Sequence, residues 1–266
     1  MSRILTGEKG YSLPELLVTM AMIGIISLSV TQLIRVSVQT HTRAASLEFS
    51  QMGARAGLNG IATDLRYLGS YYSRVAGAGA AITVATATSL TFLGDVDGNT
   101  LDAAGGENTL AAPANAGSTQ MTVIRATDPS GNPAFGVGGW VYVGSGSTGE
   151  VVRITAVAGT VISFPQPGLV KTYPAESRVR SVETVAYTFN APPTGTLTRR
   201  INGGEPAVMV DNVNGLAFTY YNGANPPAVT ADASLIRQID VGVTVTQPDG
   251  GSRTMATRIR PVSLGP

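Results

Sequence analysis

The feature that most constrains this chain is an apolar run near its N-terminus that holds a single charged residue. Between Lys9 and Arg35 the only charge is Glu15. The run is about 25 residues long, and about 20 apolar residues suffice for a helix to cross the ~30 Å hydrocarbon layer of a bilayer. Basic residues precede the run and a polar domain follows it. The positive-inside rule therefore predicts a membrane-spanning helix with a cytoplasmic N-terminus and an exported C-terminal domain.

Two ordinary interpretations of this run leave something unexplained. A cleaved secretory signal needs small residues at a cleavage site, and the sequence after Val30 offers no convincing one. A plain signal anchor explains the apolar run but not Glu15. A carboxylate in a membrane helix costs roughly 2.5–3.5 kcal/mol at the bilayer centre, and less near the interface.

The hexapeptide at residues 10–15, GYSLPE, resembles the type III signal of type IV pilins and pseudopilins. In that family a small residue, nearly always Gly, precedes the cut, an aromatic residue follows it, and a Glu lies five residues into the mature chain. Tyr11 stands here where the family usually has Phe. The resemblance implies that a prepilin peptidase cleaves between Gly10 and Tyr11, that the new Tyr11 amine is N-methylated, and that residues 1–10 are a leader.

The same resemblance gives Glu15 a physical role. Cleavage would expose an α-amine on Tyr11 that is mostly cationic at neutral pH. If such helices pack into the core of a filament, this buried cation needs a partner, because a buried charge left unpaired costs roughly 3–5 kcal/mol. We expect Glu15 to pair with the Tyr11 amine of an adjacent subunit and so to set the axial register of assembly.

The helical pattern continues beyond the membrane segment of residues 11–34. No proline occurs from Thr31 to Leu68, and an apolar stripe with helical spacing predicts an amphipathic helix over residues 35–69 that continues into the head. Three glycines weaken this prediction, since each costs up to ~1 kcal/mol relative to Ala, and Gly69 is expected to stop the helix. The stripe comprises Ala54, Leu58, Ile61, Leu65 and Leu68.

Helical periodicity ends near residue 70, and short apolar runs between Gly and Pro then predict β-strands. The predicted fold is α+β, with the long N-terminal helix packed on an antiparallel, β-rich, pilin-like head over residues 70–266. The Gly/Ala/Asn-rich stretch 98–119 is predicted to be a mobile surface loop. Strands are predicted at 81–85, 90–93, 120–126, 140–143, 150–157, 161–164, 178–189, 196–200, 207–210, 216–221, 235–246 and 252–261.

Composition excludes several kinds of site. The chain has no Cys and one His, His41, which excludes a disulfide scaffold, a thiolate metal site and a cysteine nucleophile, and argues against a histidine metal cluster or a catalytic triad. The formal net charge of +1, with no basic stripe, gives no indication of nucleic-acid binding. We therefore predict no enzyme activity, no cofactor and no resident metal.

Two stretches of the head resemble binding sites but favour simpler interpretations. Residues 95–102, DVDGNTLD, offer oxygen ligands for calcium, yet the Gly and the later Glu107 do not fit the EF-hand spacing, and a polar turn is the preferred interpretation. Four aromatic residues could form an adhesive face, but core or half-buried strand positions are favoured. These are Trp140, Tyr142, Tyr220 and Tyr221.

Weaker motifs extend the resemblance toward one branch of the family, the PilW-like minor pilins and J-type minor pseudopilins. Asp64-Leu65-Arg66 and Leu197-Thr198-Arg199 are two of them, and residues 216–221 and 236–241 contain the others. The resemblance implies a minor pilin that helps to initiate or cap a type IV pilus. A minor pseudopilin of a type II secretion system and a tip adhesin remain alternatives.

This branch of the family also implies partners and a location for the chain. The expected partners are other pilin subunits, prepilin peptidase and the inner-membrane assembly platform. The expected location is the bacterial inner membrane, with a single span, and then the pilus or pseudopilus.

Overall fold

The computed structural model describes residues 12–72, 80–97, 107–146, 148–191, 195–246 and 251–264. The chain divides into two compact units, Met1–Phe49 and Ser50–Pro266. The described residues form one long helix followed by antiparallel strands in three sheets. The predicted α+β class is therefore confirmed.

Helix α1 spans Leu13–Arg66. At its start the Ser12 carbonyl accepts hydrogen bonds from the amides of Glu15 and Leu16 at 3.0 and 3.2 Å. Pro14 lies in the first turn, where a missing N–H costs no intrahelical bond. The helix ends before Gly69, which has a positive φ of 76° and whose amide donates to the Leu93 carbonyl at 2.7 Å. The predicted stop at Gly69 is confirmed.

The predicted apolar stripe is the buried face of α1 in the second unit. All five stripe residues are buried, and Ile61, Leu65 and Leu68 are fully inaccessible. Gly57 lies on this face, and a Cβ there would collide with the side chain of Val210. The glycine that weakens the helix prediction thus permits the close approach of α1 to a strand of the head.

The largest sheet has eight strands: β1 Ile82–Ala85, β2 Ser89–Gly94, β3 Asn108–Thr109, β5 Trp140–Ser145, β6 Thr148–Arg153, β9 Arg178–Asn190, β10 Thr196–Ile201 and β11 Ala207–Val210. It is built around the long strand β9. The C-terminal half of β9, residues 183–190, pairs with β2 and β10, and its N-terminal half, residues 178–182, pairs with β3 and β5. Outer strands complete the sheet, with β1 beside β2, β11 beside β10 and β6 beside β5.

Two smaller sheets complete the head. Their strands are β4 Gln120–Thr122, β7 Ala156–Ala158, β8 Val161–Ser163, β12 Val213–Asn222, β13 Ile236–Thr246 and β14 Ser252–Ile259, and a short 3-10 turn follows at Val262–Leu264. One sheet has the order β12-β13-β14, and in its central strand the alternating residues Val241, Val243 and Val245 are fully buried. The other has the order β4-β8-β7.

The buried apolar residues of the head form two clusters. The first joins the helix stripe to the inner residues of β2, β9, β10 and the β12–β14 sheet. The second lies within residues 110–179 and includes Leu110, Ile162 and the fully buried Tyr173. The polypeptide between β2 and β9 thus forms a core of its own beside the one that receives the helix.

Two sequence predictions were wrong in this second region. Residues 98–106 of the predicted loop lie outside the described residues, and residues 107–119 are not a surface loop throughout. They contain β3, and Leu110 and Ala114 are buried. The strand predicted at 150–157 is two strands, β6 and β7, because the chain passes from one sheet to another at the buried Ile154.

Candidate functional site

Glu15, the predicted assembly residue, lies in the first turn of α1 with an exposed side chain. Its backbone carbonyl accepts the Thr19 hydroxyl at 3.0 Å. Over the described residues, beginning at Ser12, the Glu15 carboxylate contacts no cationic group. Gly10 and Tyr11, the predicted cleavage junction and methylation site, lie outside the described residues.

The first unit exposes an apolar helical surface. Large apolar side chains from Leu13 to Val38 are about half exposed or more. Hydroxyl side chains in this stretch donate to carbonyls one turn earlier, as Ser29 does to Ile25 at 3.0 Å and Thr31 to Ser27 at 2.7 Å, so their polarity is satisfied within the helix. By length and composition, α1 could cross a membrane.

Asp64, in the last turn of α1, has the opposite environment. It is 8% exposed, and one carboxylate oxygen accepts Arg199 Nε at 2.6 Å and the Tyr187 hydroxyl at 2.5 Å. Burial and the adjacent Asp64 carboxylate raise the pKa of Tyr187, so its hydroxyl remains a donor. The structure thus brings together Asp64 and Arg199, which belong to two separate sequence motifs.

This three-residue contact fixes the end of α1 to the large sheet. Tyr187 lies on β9 and Arg199 opposite it on β10, so one carboxylate holds two adjacent strands. A buried charge is tolerated only when it is paired and hydrogen-bonded, and Asp64 meets both conditions. Since Asp64 also lies beside the stripe residue Leu65, the ionic and apolar contacts act on the same turn of the helix.

A second group of acids occupies the region of the predicted calcium motif. Asp95 and Asp97 come together with Glu183 of β9, with carboxylate oxygens within 4.8 Å of one another. The Val96 amide donates to Glu183 Oε2 at 3.1 Å. Burial of Glu183, with the charges of Asp97 and Asp95, raises its pKa to about 8. At neutral pH Glu183 therefore holds a proton for most of the time.

Positive charge already adjoins these acids. Arg180, 4% exposed, contacts Glu107 Oε1 at 3.0 Å and lies 4.0 Å from Asp95 Oδ2, and its guanidinium lies over the ring of Tyr71 at 5.1 Å. The three carboxylates could offer oxygen ligands to a hard cation. The proton on Glu183 and the guanidinium of Arg180 balance much of their charge without one.

Sequence reasoning found two of these three acids and missed Glu183. Of the predicted calcium stretch, residues 98–102 lie outside the described residues. Glu183 comes from a strand that is distant in the sequence from Asp95 and Asp97. Its strand also holds Arg178 and Arg180, so an acid there did not stand out in the sequence, and nothing local identified what faces it.

The four aromatic residues considered for an adhesive face are buried or half-buried. Tyr220 is 6% exposed and donates its hydroxyl to the Thr86 carbonyl at 2.8 Å. Trp140 packs edge-on against Tyr72, with ring centroids 6.1 Å apart. The preferred interpretation, core or half-buried strand residues, is confirmed.

Comparison of the chain with protein-family models, with curated proteins and with solved structures finds no match.

Proposed function

We propose that this chain is a minor pilin, processed by prepilin peptidase, that helps to initiate or cap a type IV pilus. The observation that carries the proposal is the exposed apolar surface of α1 in residues 13–38, with Glu15 as a lone acid in its first turn. Exposed apolar patches of this extent mark a membrane or protein contact. A contact with lipid alone would not require the acid.

A filament of packed helices uses both features. The apolar surface is buried first by lipid and then by neighbouring helices. Glu15 then meets the Tyr11 amine of the next subunit, a cation that only cleavage after Gly10 would create. The pair is desolvated in the filament, so each charge is needed to offset the burial cost of the other.

The form of the head supports a minor rather than a major subunit. The chain has 266 residues, and residues 110–179 supply a second apolar core beyond the one that receives the helix. A head enlarged in this way suits a subunit present at one end of a filament. The motif resemblance to PilW-like minor pilins favours the same role.

Glu15→Ala and Glu15→Leu test the proposal in the cells that make the protein. We expect both variants to remain in the membrane fraction but to fail to enter filaments, measured by immunoblotting of sheared pili and by cross-linking to other subunits. Glu48→Ala is the matched control, since Glu48 is an exposed acid on the same helix outside the apolar run, and it should assemble normally. Normal incorporation of the Glu15 variants would contradict the proposal.

Deletion of the gene separates the pilus from a secretion pseudopilus. We expect fewer surface pili, counted by electron microscopy, with secretion of exported enzymes unchanged. Loss of enzyme secretion with pili intact would instead assign the chain to a type II secretion system.

A further inference from the structure

A cleft lies at one end of the three-stranded sheet of β12, β13 and β14. Its volume is about 430 Å³, within the range of small-molecule sites. It lies where β12 ends, β13 begins and β14 has just ended. The cleft is lined by Asn222, Gly223, Ala224, Asn225, Pro227, Arg237, Gln238 and Arg260.

Two guanidinium groups line this cleft. Arg237 Nη1 donates to the carbonyls of Ser234 and Ile236, both at 2.9 Å, and Arg260 Nε donates to Gln238 Oε1 at 3.2 Å. Among the residues that the structure describes, neither arginine pairs with a carboxylate, and no lining residue is acidic. Each guanidinium carries five N–H donors, so most of them remain for a ligand.

Asp240, the acid that the lining residue Gln238 contacts, is already paired with an arginine. Asp240 accepts two parallel bonds from Arg258, at 2.9 Å from Nε to Oδ1 and 2.8 Å from Nη2 to Oδ2. Gln238, 3% exposed, donates to Asp240 Oδ1 at 3.2 Å and thereby turns its own oxygen toward Arg260. Arg260 therefore contacts the neutral Gln238, and the carboxylate behind Gln238 is already paired with Arg258. Among the described residues no carboxylate pairs with Arg260 in the cleft.

The amide side chains add neutral polar groups to the two cations. Asn222 Oδ1 accepts the amides of Ala224 and Ala228 at 3.1 and 3.0 Å, which leaves its NH₂ group to donate. Asn225 provides a second side-chain amide. The described lining contains no aromatic ring on which a neutral sugar could stack, so recognition here must rest on charge and hydrogen bonds.

From this geometry we infer that the cleft binds a small carboxylate-bearing sugar. The planar guanidinium forks match a carboxylate and bind it in a bidentate manner, and the asparagine amides suit the hydroxyl groups of a sugar ring. The site would let the head recognise an acidic polysaccharide surface. It does not depend on filament assembly, so the Glu15 experiments and the binding experiment succeed or fail separately.

Calorimetric titration of the full-length protein, in a non-ionic detergent without a sugar head group, tests this site. The probes are glucuronate and its neutral counterpart glucose. We expect saturable heat with glucuronate and none with glucose. Arg237→Gln and Arg260→Gln should each weaken glucuronate binding about tenfold or more, since each removes a charge-assisted bond. Arg253→Gln, at the opposite end of β14, is the matched control and should bind as wild type does.

The remaining outcomes each overturn the inference. No heat with glucuronate at its highest usable concentration means that the cleft is not a site for acidic sugars. Equal displacement of glucuronate by inorganic phosphate means that it is a general oxyanion site. Equal weakening by Arg253→Gln means that the attraction is unspecific. Circular dichroism of each variant shows that any loss occurs in a folded protein.

Discussion

Helix α1 carries an acid in its first turn and another in its last, and the two lie in opposite surroundings. Asp64 is buried and bonded to Arg199 and Tyr187. Glu15 is exposed within an apolar stretch, and in the part of the chain that the structure describes no cation adjoins its carboxylate. The apolar residues follow the same division, since Leu65 is fully buried whereas Leu33 is 71% exposed.

The difference shows where each half of the helix finds its contacts. The last turns of α1 find their contacts within the chain, because the charge of Asp64 and the apolar stripe both meet residues of the head. The first turns present the same two kinds of group, and among the described residues neither meets a partner. Under the proposed function, Glu15 would obtain from another subunit what Asp64 obtains from its own chain.

Removing each acid should therefore have contrasting effects on the isolated protein. We expect Asp64→Ala to lower the free energy of unfolding by about 3 kcal/mol, because Arg199 loses its counter-charge and the Tyr187 hydroxyl loses its acceptor. Glu15→Ala should leave that free energy unchanged. Chemical denaturation in detergent, followed by circular dichroism, measures both.

Tyr187→Phe serves as the control for Asp64→Ala. It removes one hydrogen bond and retains the ion pair, so a loss of about 1 kcal/mol is expected. If Asp64→Ala unfolds at the same denaturant concentration as wild type, the anchoring role of Asp64 is wrong.

Shortening an apolar side chain sharpens the same contrast. Leu65→Ala should cost about 2–5 kcal/mol, because it opens a cavity in the core. Leu33→Ala, on the exposed surface of the first unit, should not change the unfolding of the head. Equal losses from both variants would mean that residues 13–49 contribute to the core of the isolated chain.

The buried acid on β9 predicts a pH dependence of the head. The pKa of Glu183 is raised to about 8 by burial, Asp97 and Asp95, so the folded state keeps a proton that the unfolded state releases. This contribution to stability is complete below the ordinary carboxyl pKa of about 4.3. It is lost as the pH rises toward 8, by about 1 kcal/mol per pH unit.

Glu183→Gln should flatten that slope, because glutamine cannot titrate. Unfolding curves of both proteins between pH 5 and pH 8 provide the comparison. A wild-type stability that rises relative to Glu183→Gln over this range would reverse the predicted sign.

Two glycines of α1 predict the smallest effects. Gly53 has open space where a Cβ would be, so Gly53→Ala should stabilise the helix by up to ~1 kcal/mol. Gly57→Ala should cancel that gain or reverse it, since the new methyl group meets Val210. Melting temperatures of the two variants test this, and an equal rise in both would show that the contact with β11 is loose.

The sequence predicted those parts of the molecule that have a regular period. The helix stripe follows a 3.6-residue period, and β11, predicted at 207–210, was matched at both ends because its apolar run is bounded by turn residues. Glu15 was found in the same way, as the one break in an apolar run. Each of these signals is local.

The parts that were missed depend on contacts between distant residues. Asn108 lies in a Gly/Ala/Asn-rich stretch, yet it is 1% exposed because its amide exchanges hydrogen bonds with the backbone of Arg125. Glu183 meets Asp95 only when β9 pairs with β2. The cleft of Arg237 and Arg260 forms from the ends of three strands, and no spacing in the sequence indicates it.

Mass spectrometry of the mature N-terminus tests the central claim most directly. The protein should be purified from the membranes of the cells that produce it, and its N-terminal peptide sequenced. We predict a chain that begins at Tyr11 and carries one methyl group on the Tyr11 amine, the group that Glu15 is proposed to meet. A chain that retains residues 1–10, or one cut after the apolar run so that Glu15 is lost, would contradict the account.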